Sequence, residues 1–383
     1  MQNLATGALK EYHWDELSVA VGFKIEADDE LTLEYLLENG ILDQMDEVEN
    51  VATVAAKEHN LDLALDAMMT EWGALQFELK EHKTSFVLRG VDEIQALLDD
   101  HLVKTQSMMG SPYIANIKGK AKGWEQRLVT LQNLLDEWLR VQRTWMYLQP
   151  IFSSDDIMRQ MPTEGRKFAT IDAMFIKAMD EVQANPSVLA AAARDGMLSN
   201  FRSANKNLDV IQKNLADYLE VKRLHFPRFY FLANDGLLEI LSQTKDVRKV
   251  QKHLDKCFEG LNRIAFRGDR EGNPDDLVIV EIGSADGEKV DLVEFVDPNK
   301  GDNKGNVEKW LNQLLGAMRV SVKEFVKKSI EDYPAKKRIE WILAHPAQAV
   351  LNISQLFWTR EAEDAMRTGG NAGLATYKEQ LDG

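Results

Sequence analysis

Three places in this chain carry side chains whose types and spacing could do chemistry. Asp297, Asn299 and Glu308 fall at the first, third and twelfth positions of a loop of the kind that wraps calcium in oxygen ligands. Position five is Gly301, which offers no side-chain oxygen, and position six is Asp302, where the sharp turn wants glycine. The loop therefore reads as a solvated turn that caps a helix. Gly369, Gly370 and Gly373 cluster as phosphate loops do, but the lysine and hydroxyl of a GxxxxGKS/T motif are missing; the cluster reads as a helix break. His253 and Cys257 stand four apart on an expected helix and could share a metal. Four-coordinate zinc needs two more ligands, and no CxxC or second histidine pair supplies them. Cys257 reads as a partly buried thiol. The seven histidines are scattered and no GxSxG elbow occurs. Acidic pairs at Asp28-Asp29, Asp99-Asp100 and Asp155-Asp156 suit helix starts or solvated faces. No catalytic, cofactor-binding or metal-ligating residue is assigned.

Composition narrows the function classes further. With 46 basic and 62 acidic residues the net charge is −16, and the longest basic run is Lys336-Lys337-Arg338. Such a chain repels phosphate backbones, which argues against nucleic-acid binding. No stretch approaches the roughly 18 apolar residues that a membrane span needs, and the start MQNLATGALK lacks the apolar core of a signal peptide. The single cysteine, Cys257, excludes an internal disulfide framework and fits a reducing compartment. At 383 residues, 44% of them hydrophobic and 28% charged, a soluble intracellular protein of two or more subdomains is expected.

The elements that must position these groups are mostly helical. The clearest helix is expected over 122–147, where Trp124, Leu128, Leu131, Leu135, Trp138, Val141 and Trp145 recur at three- and four-residue steps. At roughly 1.5 Å per residue it would run about 39 Å. Pro150 should end it, with Ser153-Ser154-Asp155 capping the next helix. A second long helix is expected over 198–226, stopped by Pro227. Others are expected at 31–39, 43–72, 91–109, 163–184, 235–257, 306–331, 335–344 and 346–368. One interruption stands out: the β-branched run at 277–282, a turn at 283–287 and the alternating run at 290–296 read as a lone β-hairpin. A lone hairpin is marginal in water and must pack on helices or on a partner. The fold expected is mostly α, an elongated array of helical bundles with one inserted β-hairpin. It divides into helical subdomains over 1–160 and 161–265, the hairpin insertion over 266–305 and a helical part over 306–383.

Two segments are aromatic and free of reactive groups: WLRVQRTWMYLQPIFSS at 138–154 and FPRFYFLANDGLLEILSQTKD at 226–246. Together with LKEYHWDELS at 9–18, LEYLLENGILDQMDEVENV at 33–51, MMGSPYIANI at 108–117 and HLDKCFEGL at 253–261, they resemble the linker region of dynein heavy chains. Order and spacing match from about residue 9 to the end, and WMYLQPIFSS and FLANDGLLEILSQTKD resemble the axonemal forms more than the cytoplasmic ones.

The resemblance implies a mechanical role. In that family the region precedes a ring of six AAA+ modules on the same polypeptide and arches over it as a helical lever. ATP and magnesium bind in the ring modules, and switching of the lever between bent and straight states drives movement along microtubules. The chain is then expected to stop before the ring, like an excised piece, and to hold no nucleotide or other cofactor itself. Its implied partners are the AAA+ ring of the same heavy chain, microtubules through other parts of that chain, and dynein intermediate or light chains. The implied location is the axoneme of a cilium or flagellum, with the cytoplasm as the alternative. Carried over by position, Arg228, Phe229 and Tyr230 and the hairpin residues Leu277, Ile279 and Phe295 are the candidate ring-docking residues. For Phe229, Tyr230 and Phe231, core packing behind Pro227 is the favoured reading, with ring contact as the alternative. Met161-Pro162 and Asn185-Pro186 are the candidate hinges, because breaks between helices can absorb a backbone change. The competing reading is a spectrin-like helical scaffold, which predicts a repeating helical triplet and no hairpin.

Overall fold

A computed structural model of the chain describes residues 7–26, 31–244 and 246–382; the Asp28-Asp29 pair lies outside them. In order, helices α1 (Glu11–Val21), α2 (Leu33–Glu38) and α3 (Met45–Ala74) precede strands β1 (Glu78–His82) and β2 (Ser85–Arg89). Helices α4 (Val91–Met109), α5 (Lys118–Phe152), α6 (Asp155–Gln160), α7 (Pro162–Ala184), α8 (Val188–Ala192) and α9 (Met197–His225) come after them. Next come α10 (Asn234–Ser242), α11 (Val247–Val250), α12 (Leu254–Cys257), β3 (Arg263–Phe266), α13 (Arg267–Glu271), β4 (Ile279–Gly283) and β5 (Lys289–Val296). The last helices are α14 (Val307–Asp332), α15 (Arg338–Ala344) and α16 (Ala347–Asp382). The mostly α class expected from the sequence holds. Two compact units form: one from residues up to Gln149 with Lys167–Val210, the other from Pro150–Arg166 with residues from Ile211 onward.

In the first unit the apolar stripe of α5 does what its spacing predicts. Trp124, Leu128, Leu131, Leu135, Trp138, Val141 and Trp145 are each no more than 1% exposed. Burying each such side chain stabilises by about 1.5–3 kcal/mol. Their rings join a continuous aromatic row. Phe77 meets Trp138 edge-on at 5.3 Å, Trp138 stacks on Phe201 at 5.4 Å, Phe201 meets Phe175 at 6.4 Å, and Phe175 stacks on Trp145 at 4.6 Å. Offset and edge-on pairs of this kind add about 0.5–1.5 kcal/mol each.

The hairpin β1–β2 in this unit was not expected from the sequence. Its tight turn places Lys83 at φ 52°, a conformation for which asparagine or glycine is the usual signal, and neither is present. Tertiary contacts hold it instead. The Gln142 side chain lies along β2 like a short strand: Leu88 N–H donates to Gln142 Oε1 at 2.8 Å, and Gln142 Nε2 donates to Leu88 O at 3.1 Å.

The second unit corrects three expectations. The lone hairpin is a three-stranded antiparallel sheet in the order β3-β4-β5, with β3 paired along β4 from Arg263↔Gly283 to Phe266↔Ile279. A third strand supplies the packing that an isolated hairpin lacks. Pro150 does not end α5, which continues to Phe152; its missing N–H removes one i→i−4 bond, and the helix stops two residues later. The helix expected over 235–257 breaks into α10, α11, a 3-10 turn at Gln251–His253 and α12. The break has a tertiary cause: Thr244 leaves the helical path and its buried hydroxyl donates to Asp156 Oδ2 at 2.9 Å, while Asp246 caps α11 by accepting from Arg248 N–H.

The glycine cluster at 369–373 breaks α16, as expected. Gly370 adopts φ 57°, ψ −140°, and Gly373 passes so close to Ala365 that a Cβ would lie 2.3 Å from the Ala365 carbonyl oxygen. The Tyr377 hydroxyl then donates to Glu361 Oε2 at 2.9 Å, and burial together with that bond pushes the phenol up to about 12.

Candidate docking surface

The groups with chemical spacing are occupied by structural work. Lys222 Nζ donates to Glu308 Oε1 at 2.5 Å, so the carboxylate at the twelfth loop position is held in a buried ion pair. Asn299 N–H donates to Asp297 Oδ1, and Asn303 Nδ2 donates to Asp297 O at 2.8 Å and to Gln313 Oε1 at 2.7 Å. These bonds make a self-capped turn that leads into α14. Cys257 is buried, and burial pushes its thiol up to about 11, which leaves it protonated and unreactive at neutral pH. His253 lies 3.5 Å from Glu239. Among the described residues no group of three or more histidine, cysteine, aspartate or glutamate side chains is placed to hold a metal ion. Among them, too, no helix is long and apolar enough to cross a membrane.

The distinctive feature is a surface. After α9 the chain forms a 3-10 turn at Pro227–Phe231, where three residues per turn sort neighbours onto different sides. Phe226 and Phe229 are fully buried and meet edge-on at 4.9 Å. Tyr230 and Phe231 point outward, 52% and 74% exposed. The turn is pinned from both sides. Arg228 donates to Cys257 O at 3.0 Å with its guanidinium 5.0 Å over the Phe258 ring. Arg223 donates to Leu232 O and to Asn234 Oδ1 while also facing the Tyr230 ring. The Tyr230 hydroxyl donates to Glu220, and that bond raises its pKa.

The sheet presents a second exposed apolar pair. Alternation along β5 puts Leu292 and Val296 inside and leaves Val293 and Phe295 outside, 55% and 59% exposed. The strand is tied to α14 by Ser321, whose buried hydroxyl accepts from Val293 N–H at 2.9 Å and donates to Ala317 O. The same helix reaches the end of α9, where Asn312 Nδ2 donates to His225 O. One helix therefore positions both exposed groups.

Of the residues singled out in the sequence, Tyr230 and Phe295 are exposed, Arg228 and Leu277 are half-buried, and Phe229 and Ile279 are fully buried. Phe229 and Ile279 therefore lie beneath the exposed side chains and do not belong to the outward face. Phe231 and Val293 take that place. Strand parity marks Val293, whereas Phe231 could be placed only once the 3-10 turn was known. Met161 is the C-cap residue that follows α6, and Pro162 begins α7. Asn185-Pro186 is fastened to the entry of β1: Phe77 N–H donates to Pro186 O at 2.8 Å and Val188 N–H to Leu75 O at 3.2 Å.

Fold and surface thus define a mostly helical protein that offers exposed aromatics on a rigid support. Residues 1–329 match the family "Dynein heavy chain, N-terminal region 2", and the chain belongs to it. It is 40% identical over 375 residues to dynein axonemal heavy chain 12 of Rattus norvegicus, covering 97% of this chain and 12% of that one. To dynein axonemal heavy chain 3 of Homo sapiens it is 41% identical over 360 residues, 94% of this chain and 8% of the relative. To dynein axonemal heavy chain 1 of Mus musculus it is 39% identical over 371 residues, 96% and 8%. The chain thus spans about a tenth of the length of the curated relatives it matches.

Proposed function

We propose that this chain is the mechanical linker of an axonemal dynein heavy chain, a lever that bends and straightens over the AAA+ ring as ATP is bound and hydrolysed there. The observation that carries the reading is the combination of long helices with inward aromatics and a supported outward aromatic surface. Helices of 30, 35 and 29 residues, α3, α5 and α9, would each run roughly 43 Å or more at 1.5 Å per residue. Packed helices transmit force because their cores resist compression. Tyr230, Phe231, Val293 and Phe295 would supply the contact with the ring, since exposed aromatic and apolar side chains mark interaction surfaces. ATP and magnesium would belong to the ring modules, and microtubules to other parts of the heavy chain, in the axoneme of a cilium or flagellum.

Bending needs a place where few hydrogen bonds break. Met161-Pro162 suits this better than Asn185-Pro186, because the backbone bonds of Met161, from its N–H to Ile157 O and from Gly165 N–H to its O, stay within the adjoining helices, while Pro186 and its neighbours hold two backbone bonds to the distant chain before β1. Energy transfer between a dye on α5 and a dye on the ring of the full heavy chain should change as ATP is added and return when it is spent. A constant signal through the cycle would overturn the lever reading. Calorimetry of the 383-residue chain with ATP should give no binding heat, and stoichiometric binding would contradict a passive lever.

A further inference from the structure

The second unit also holds a cavity of about 270 Å³ that the docking surface does not use. One wall is a face of α14, where Met318, Val322 and Phe325 recur at helical spacing and are each only half-buried. The opposite wall is the β4–β5 end of the sheet, with Ile282 and Val290. Two carboxylates, Glu259 and Glu288, line the same cavity, and among the described residues no lysine, arginine or histidine does. Glu288 is fixed in place, because Ala347 N–H at the start of α16 donates to its Oε1 at 2.6 Å. That bond orients the carboxylate and leaves Oε2 able to accept.

We propose that this cavity takes a lysine or arginine side chain presented by a peptide segment of a protein partner. Lysine and arginine lay their methylene stems along apolar walls while the charged head stays at a polar end. Here the stem would lie between the α14 face and the sheet, and the head would meet Glu259 and Glu288. The volume suits one long side chain and falls short of the ~300 Å³ at which drug-sized pockets begin. The two acids lining the cavity, both exposed, select the sign of the head, and the walls reject a short or wholly polar side chain.

Three blocked tripeptides test this on the 383-residue chain by saturation-transfer NMR: alanine-arginine-alanine, alanine-norleucine-alanine and alanine-glutamate-alanine. The arginine peptide should bind at least tenfold more tightly than the norleucine peptide, and the glutamate peptide should give no transfer. Neutralising the acids with Glu259→Gln and Glu288→Gln should remove that tenfold preference while leaving the fold intact, since glutamine retains an acceptor for Ala347 N–H. Filling the space with Val322→Trp should abolish binding of the arginine and norleucine peptides. Equal binding of the arginine and norleucine peptides, no binding of the arginine peptide, or binding unchanged by Val322→Trp would each overturn the proposal. Spermidine binding more tightly than the arginine peptide would also overturn it, by showing a site for a free polyamine.

Discussion

In the segment 138–154, Trp138, Trp145 and Phe152 turn inward, at 0%, 1% and 6% exposure, and Tyr147, off that face of the helix, is 40% exposed, whereas the segment 226–246 splits adjacent rings of one short turn between Phe226 and Phe229 inside and Tyr230 and Phe231 outside, at 52% and 74%. Both segments are rich in aromatics and poor in reactive groups. Their geometry separates them. Residues 138, 145 and 152 are seven apart on an α-helix, which returns them to one face. Residues 226, 229 and 232 are three apart around a 3-10 turn, which buries that column and turns 230 and 231 outward. Aromatic content alone therefore says nothing about whether a ring is structural or available to a partner. The backbone period decides it.

The largest expected effect breaks the first segment. Trp138 contacts both Phe77 and Phe201, so Trp138→Ala should open a cavity in the middle of the aromatic row. A loss of about 3–5 kcal/mol is expected, read from the urea midpoint of unfolding. A loss below about 1 kcal/mol would mean that the row is not the core of its unit. Gln142→Ala comes next. It strips both the donor and the acceptor from Leu88 of β2 and should cost about 1–3 kcal/mol by the same measurement.

Legibility followed the same division. The stripe of α5, the glycine break in α16 and the alternation of β5 were readable because helix and strand periods are properties of consecutive residues. The hairpin β1–β2 was not, because its strands owe their edge to Gln142, more than fifty residues away. The strand β3 was hidden for a similar reason: Arg263–Phe266 is too short to show a period and becomes a strand only by pairing with β4. At the surface, which rings of the segment 228–232 face outward depended on a 3-10 turn that no local pattern announced.

A smaller and graded effect comes from pH, and it falls on the unit that holds the first segment. Trp72 Nε1 donates to His101 Nδ1 at 2.9 Å in a buried contact, and burial lowers the His101 pKa. Burial likewise lowers His13. A histidine whose folded pKa lies below its unfolded value is protonated first in the unfolded chain, so stability is full above about pH 6.5 and declines as pH falls through that value toward the folded pKa. Urea midpoints from about pH 7.5 to about 5.5 should therefore fall, and His101→Gln should flatten part of that slope. An unchanged slope would place the acid sensitivity elsewhere.

The smallest effect on stability should come from Phe231→Ser, and that near-silence is what gives the comparison its functional content. With 74% of the residue exposed, the substitution should move the unfolding free energy by no more than about 0.5 kcal/mol. Phe229→Ala, two residues earlier but fully buried, should cost about 3–5 kcal/mol. If Tyr230 and Phe231 are the docking face, Phe231→Ser in the full heavy chain should slow microtubule gliding while this unit stays as stable as the parent. Normal gliding would remove Phe231 from the docking face. A stability loss as large as that of Phe229→Ala would show that the ring is part of the core, and the distinction between the two sides of the 3-10 turn would fail. The pair separates support from contact because the two rings share one short turn and differ in which side of it they occupy.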